Sequence, residues 1–201
     1  MCKLIAITNR TLCKGNFLGQ IELLAKAGVD AVVLREKDLT EKEYESLAKK
    51  VYAVCQKYGI DCILHQNVAV AKRMGVKKIH LSLPLAQKYQ NELDWFDTVG
   101  VSTHSLEQIE EAQKCGADYV FFGHVFATDC KKGVSPRGTG QLQEMCSAAK
   151  VPVYAIGGIT PENVDQAVHA GASGVCMMSY GMQASMEQIV AFREKMKSMP
   201  G

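Results

Sequence analysis

Charge of one sign is what this chain lacks most plainly. Lys and Arg number 23 against 21 Asp and Glu, a net charge of +2, so there is no electrostatic case for a nucleic-acid or anionic membrane partner. Long apolar runs are missing too: none approaches the ~18 residues of a membrane-spanning helix. The first residues, MCKLIAITNR, read as a strand followed by polar residues rather than as an export signal. Among eight cysteines there is no CxxC pair, and several, such as Cys62 and Cys176, sit in apolar runs as small buried hydrophobes do. Neither a disulfide framework nor a zinc site is expected, and the reading is a cytoplasmic protein with reduced thiols. What is present is an ordinary globular composition, 47% hydrophobic and 22% charged over 201 residues, which fits one domain spanning residues 1–201.

The chain repeats itself weakly. AGVDAVVL (27–34), MGVKKIHL (74–81), CGADYVFF (115–122) and AGASGVCM (170–177) share one pattern. In each, a glycine closes a helix and an apolar strand follows, as a left-handed helix C-cap requires. Further strands, DCILH (61–65), DTVGVS (97–102) and VPVYAIGG (151–158), lie between these repeats. Gly28 to Gly171 therefore spans six strand–helix units of about 24 residues, and the whole chain holds about eight. Amphipathic helices alternate with the strands. Residues 41–59 put Tyr44, Leu47, Val51, Val54 and Tyr58 on one face. Ser105 reads as an N-cap, as does Thr160 with Pro161 at the first helical position. Eight such units predict a small closed (β/α)8 barrel, a TIM barrel, with an open doubly wound sheet as the alternative.

In such a barrel the chemistry sits where strands end, on the C-terminal face. Arg35 and Lys37 end strand two on the same side of the chain. His65 and Gln66 end strand three, Ser102 and His104 strand five, and His124 strand six. AIGGITPEN places Gly157 and Gly158 at the end of strand seven, and MMSYG places Met178 and Ser179 after strand eight. Glycines before a helix start let backbone N–H groups approach an anion, so a phosphate site is expected there. The loop ATDCKKGVSPRG (127–138) carries Thr128, Lys131, Lys132 and Arg137 and reads as a basic flap over an anionic substrate. Arg35 and Lys37 would bind a carboxylate or phosphate, or else pair with Glu36 or another carboxylate. An imidazole at a strand end beside such a loop can take and give a proton near neutral pH, which makes His124 the candidate catalytic residue. His80 and His169 read as structural, and His65 and His104 as pocket-lining.

These segments resemble the thiamine-phosphate synthase superfamily, in its TenI-like branch, over essentially the whole chain. VLREK is similar to the family's strand-two motif, GVSTHSLEQIEEAQKCGADYVFFG to its strand-five to strand-six segment, and AIGGIT and AGASGVCMMS to its phosphate-binding ends of strands seven and eight. The synthases of this superfamily end strand two with Gln-x-Arg-x-Lys, where this chain has Val33. They end strand three with Asn-Asp, whose aspartate holds Mg²⁺ under a pyrimidine diphosphate, where this chain has His65-Gln66. A second acidic ligand after strand four is replaced here by HLSLPL (80–85). A hard dication needs oxygen ligands of that kind, so no metal is expected. The synthases also carry Gly-Pro after strand six and a Thr-x-Thr-Lys loop, against Gly123-His124 and TDCK here.

The branch so resembled implies a thiazole tautomerase, an isomerase of thiamine biosynthesis. It would aromatise a carboxythiazole phosphate by moving a proton from ring C2 to the exocyclic carbon, without cofactor or metal. The resemblance assigns the transfer to His124 and the phosphate to Gly158, Ser179 and the neighbouring backbone, Met178 included. Arg35, Lys37, Ser102, Thr128 and Lys131 would hold the rest of the substrate. The alternatives are a thiamine-phosphate synthase joining a thiazole phosphate to a hydroxymethylpyrimidine diphosphate, a non-catalytic ligand-binding or regulatory protein, and an unrelated phosphosugar isomerase. The sequence leaves a homo-oligomer open.

Overall fold

The structure, a computed structural model, describes residues 2–131 and 133–199; Lys132 of the basic loop lies outside them. Eight strands follow one another: β1 Lys3–Ile7, β2 Ala31–Leu34, β3 Asp61–His65, β4 Lys78–Ser82, β5 Thr98–Thr103, β6 Tyr119–Gly123, β7 Val153–Ile156 and β8 Gly174–Met177. Each pairs in parallel with its successor, and β8 returns to β1 with Cys176 opposite Ile5, closing the barrel. The open-sheet alternative is thereby excluded. Around the strands run α1 Phe17–Lys26, α2 Glu41–Tyr58, α3 Val68–Met74, α4 Leu83–Lys88, α5 Leu106–Lys114, α6 Gly138–Ala148, α7 Val164–His169, α8 Ser179–Gln183 and α9 Met186–Lys197. The four repeat glycines have φ between +69° and +92°, in the left-handed region.

Local chemistry sets the helix ends. Thr40 and Glu43 form a reciprocal capping box at α2, and Ser105 caps α5 by accepting from Gln108 N–H. The helix expected to start at Thr160 begins later, at Val164. Asn163 explains the delay. Its Oδ1 accepts from Thr160 N–H at 2.9 Å and its Nδ2 donates to the Gly158 carbonyl at 2.8 Å, which folds residues 160–163 into a turn in place of a first helical turn.

Two apolar layers follow from strand alternation. Outward residues such as Leu4, Val32, Leu64, Val101 and Phe122 pack against the helices. Inward residues, Ile5, Ile7, Ala31, Val33, Ile63, Tyr119, Phe121 and Cys176, fill the barrel. Gly100 is the inward residue of β5 at the level of Tyr119, and the Tyr119 ring occupies the space a Cβ would need there. Gly100→Ala should therefore overpack the barrel interior and cost about 1–3 kcal/mol. Urea unfolding of the variant checks this, and an unchanged midpoint would show that Tyr119 can move aside.

Candidate functional site

A cavity of about 580 Å³ opens at the C-terminal ends of the strands. Arg35, Lys37, Ser102, His124, Thr128, Lys131, Gly158, Met178 and Ser179 all line it, whereas Arg137 of the expected basic flap does not and instead donates from Nε to the Gly123 carbonyl at 3.3 Å. Its floor is the inward apolar layer, including Ile7, Val33, Phe121, Ile156 and Cys176. Motif reading assigned none of them to the cavity, although the same alternation that placed Arg35 and Lys37 marks them.

Arg35 and Lys37 continue the inward parity of β2, while Glu36 between them turns away. Glu36 is buried, accepts from the Thr8 hydroxyl at 2.7 Å and pairs with Arg10 at 3.1 Å. The expected alternative of an ion pair between Glu36 and its two neighbours therefore does not form. The loop after β6 brings Lys131 from the opposite side of the barrel. The three cations sit close enough that Lys37 has its pKa lowered, first by Arg35, then by burial and by Lys131. Among the described residues none of the three makes an ion pair, and the one carboxylate lining the cavity is Asp129.

Beneath the cations lie two histidines in stacked array, His65 and His80, with ring centroids 6.1 Å apart. Burial, followed by the charges of Arg35 and Lys37, lowers the His65 pKa to about 3. Burial likewise drives His80 well below the usual range, with His65 adding to the effect. Both rings are neutral at physiological pH. His80, read from sequence as structural, is buried yet faces the cavity, and its Nε2 lies 2.8 Å from Ser102 Oγ. His104 lines the cavity as expected, its Nδ1 donating to the Gly123 carbonyl at 2.8 Å. His169 is exposed at the end of α7.

His124 follows a cis Gly123–His124 peptide. Its Nε2 donates to the Val134 carbonyl at 3.2 Å, and its own carbonyl accepts from Arg137 N–H at 2.9 Å. The residue thus ties the base of the basic loop to β6. The loop's tip crosses toward β8, where Cys130 Sγ lies 3.5 Å from Ser179 Oγ.

The ends of β7 and β8 present unused donors. Gly158, Ile159, Ser179 and Tyr180 line the cavity, and their backbone N–H groups donate to no acceptor among the described residues. Such a group of donors suits an anion. Gly158 (φ +68°) is also a close approach, because a Cβ there would collide with the Ala127 carbonyl oxygen. Its replacement would therefore disturb the turn as well as the donors.

A divalent cation fits poorly here. The positions that would offer carboxylates are Gln66 and Leu85, and among the described residues no three His, Cys, Asp or Glu side chains gather around one point.

The thiamine monophosphate synthase family profile (TMP-TENI) matches residues 4–180. The thiamine-phosphate synthase of Fusobacterium nucleatum is 31% identical over 182 residues, covering 89% of this chain and 88% of that protein. The thiamine-phosphate synthase of Halalkalibacterium halodurans is 36% identical over 156 residues, covering 76% and 74%. The solved thiamine phosphate pyrophosphorylase of Pyrococcus furiosus superposes with a TM-score of 0.85 at 26% identity, over 99% of this chain and 97% of that one. These likenesses overturn the expected thiazole tautomerase, and the isomerase class with it, in favour of the synthase alternative. The helices include none long and apolar enough to cross a membrane, among the described residues.

The buried neutral histidines make stability depend on pH. The unfolded chain protonates His65 near pH 6.5 and the folded chain only near pH 3, so unfolding takes up a proton in that window and stability falls as pH drops. From pH 7 to pH 5, His65 alone should remove about 2 kcal/mol. Denaturant titrations at both pH values should show this loss, and His65→Gln should make the dependence shallower. An equal loss in both proteins would mean that His65 is not held neutral.

Proposed function

The chain belongs to the thiamine monophosphate synthase family, and from that premise we propose that it is a transferase joining a thiazole phosphate to a hydroxymethylpyrimidine diphosphate. In this reaction the bond between the pyrimidine's methylene carbon and the diphosphate oxygen breaks. The thiazole ring nitrogen supplies the electron pair for the new carbon–nitrogen bond, and diphosphate departs with the pair it keeps. The chemistry needs two anion sites and a way to stabilise charge on the leaving group.

The observation that carries the reading is the trio Arg35, Lys37 and Lys131, gathered at the cavity without ion-pair partners among the described residues. A diphosphate between them gains a planar guanidinium fork and two ammonium groups. The free N–H groups at Gly158, Ile159, Ser179 and Tyr180 take the thiazole's phosphate. Ser102 and Thr128 lie along the cavity that joins the two sites. Because the carboxylates for a metal are missing, these side chains compensate the leaving group's charge. His124 holds the loop that delivers Lys131.

Incubation with both substrates should yield thiamine phosphate and release diphosphate. Lys37→Met should lower kcat/KM by about ten- to a hundredfold, since a hydrogen bond to a charged partner contributes about 1.5–3 kcal/mol. Lys37 loses its proton at lower pH than an ordinary lysine. Affinity for inorganic diphosphate should therefore begin to fall, as pH rises, below the usual lysine range, and Lys37→Arg should remove that fall. Binding of both substrates without product would make the protein a ligand binder instead. A rate abolished by EDTA and restored by Mg²⁺ would overturn the assignment of charge compensation to these three side chains.

A further inference from the structure

Beneath the cations, a polar chain runs from inside the barrel to the cavity. Tyr119, in the inward layer, has its hydroxyl 3.1 Å from His80 Nδ1, and His80 Nε2 lies 2.8 Å from Ser102 Oγ. Ser102 is half-buried and lines the cavity, whereas Tyr119 is buried beneath it. Phe121 stacks on the His80 ring with centroids 4.0 Å apart, and the His65 ring lies parallel to it, so the imidazole has a fixed plane.

Two hydrogen arrangements are available to such a chain. In the first, the Tyr119 hydroxyl donates to Nδ1, Nε2–H donates to Ser102 Oγ, and the Ser102 hydrogen points to the cavity. In the second, Nδ1–H donates to Tyr119, Ser102 donates to Nε2, and the Tyr119 hydrogen needs another acceptor. Among the described residues Tyr119 Oη has no partner but His80. The second arrangement buries an unsatisfied hydroxyl hydrogen, which is costly in an apolar interior. The first leaves nothing unsatisfied except the Ser102 donor, which faces the ligand.

We infer that Tyr119 is a positioning residue: through the tautomer of His80 it keeps the Ser102 hydroxyl hydrogen free for donation to an acceptor atom of the bound substrate. A hydroxyl of free orientation accepts or donates as the ligand demands. One that receives Nε2–H has its hydrogen directed to the ligand, so a ligand with an acceptor at that point satisfies it and one without leaves it unpaired. Selectivity at the cavity wall is thus set by a phenol that never touches the ligand. Burial keeps His80 neutral, so the tautomer persists across the physiological pH range.

The tautomer is measurable directly. In full-length protein labelled with ¹⁵N-histidine, the His80 signals are identified by their loss in His80→Gln. Wild type should show a protonated Nε2 and an unprotonated Nδ1, and Tyr119→Phe should bring in the Nδ1–H form. A wild-type His80 protonated on Nδ1, or a distribution unchanged by Tyr119→Phe, would overturn the inference. The catalytic consequence rests on the transferase reading and is tested separately. Tyr119→Phe should lower kcat/KM by about two- to tenfold. The double variant with Ser102→Ala should be no worse than Ser102→Ala alone, because both changes remove one donor. Losses that multiply would assign Tyr119 a role independent of Ser102. Absence of transferase activity would sink the functional reading while the tautomer result still decided the relay.

Discussion

Alternation of side chains along eight closed strands is the constraint from which the site follows. A strand directs every second residue inward, and closure leaves those residues no edge through which to escape. Low in the barrel they are Ile5, Ala31, Ile63 and Tyr119, and they make a sealed floor. Higher up the same parity delivers His65, Ser102, Gly158 and Met178, and beyond the end of β2 it delivers Arg35 and Lys37. Glu36 shows how sharply this sorts charge. One position out of phase, it lies on the far side of the strand with Thr8 and Arg10, and the carboxylate that would neutralise its neighbours is kept from the cavity. A slip of one residue in β2 would exchange the two sets and replace the cationic mouth with an anionic one.

The electrostatics are layered accordingly. Neutral imidazoles occupy the depth, where a charge would have to be desolvated. The ammonium and guanidinium groups sit at the mouth, where Lys37 and Lys131 are exposed and Arg35 half-buried, so water still reaches them. Mutual repulsion among the three is visible in the lowered Lys37 pKa, and an anion bound between them relieves it. The empty site is thus less favourable electrostatically than the filled one, and the difference contributes to affinity. Such a cluster stabilises a departing anion without a metal, provided that it is already in place when charge develops.

The architecture was legible in the sequence because its punctuation is chemical: Gly28, Gly75, Gly116 and Gly171 sit at positions that demand a left-handed φ. The cavity-lining residues were legible because strand ends and parity locate them without coordinates. The start of α7 was not, since Asn163 bonds backward to Thr160 and Gly158 rather than yielding the first turn to Thr160. Function was misread for a physical reason. Missing metal carboxylates show how charge is not compensated, and they do not identify the reaction. The feature proposed to compensate, three cations without carboxylate partners among the described residues, depends on Glu36 facing outward and on a loop crossing the mouth from β6. Neither is a property of a motif. His124 drew attention as a proton carrier, yet its Nε2 is engaged with the Val134 carbonyl.

That loop joins the parts. Its base is fixed by several bonds: His124 Nε2 to the Val134 carbonyl, Arg137 N–H to the His124 carbonyl and Gly138 N–H to the Val125 carbonyl at 3.0 Å. Its tip reaches the far side of the mouth, with Cys130 Sγ 3.5 Å from Ser179 Oγ, and Lys131 there is repelled by Lys37. An anion placed between Lys37 and Lys131 would offset that repulsion. On the proposed reading, diphosphate in that place would make the tip's position part of the binding equilibrium, and its departure would return the repulsion. The cations proposed to stabilise the leaving group would therefore also favour release of the loop's tip once it has gone.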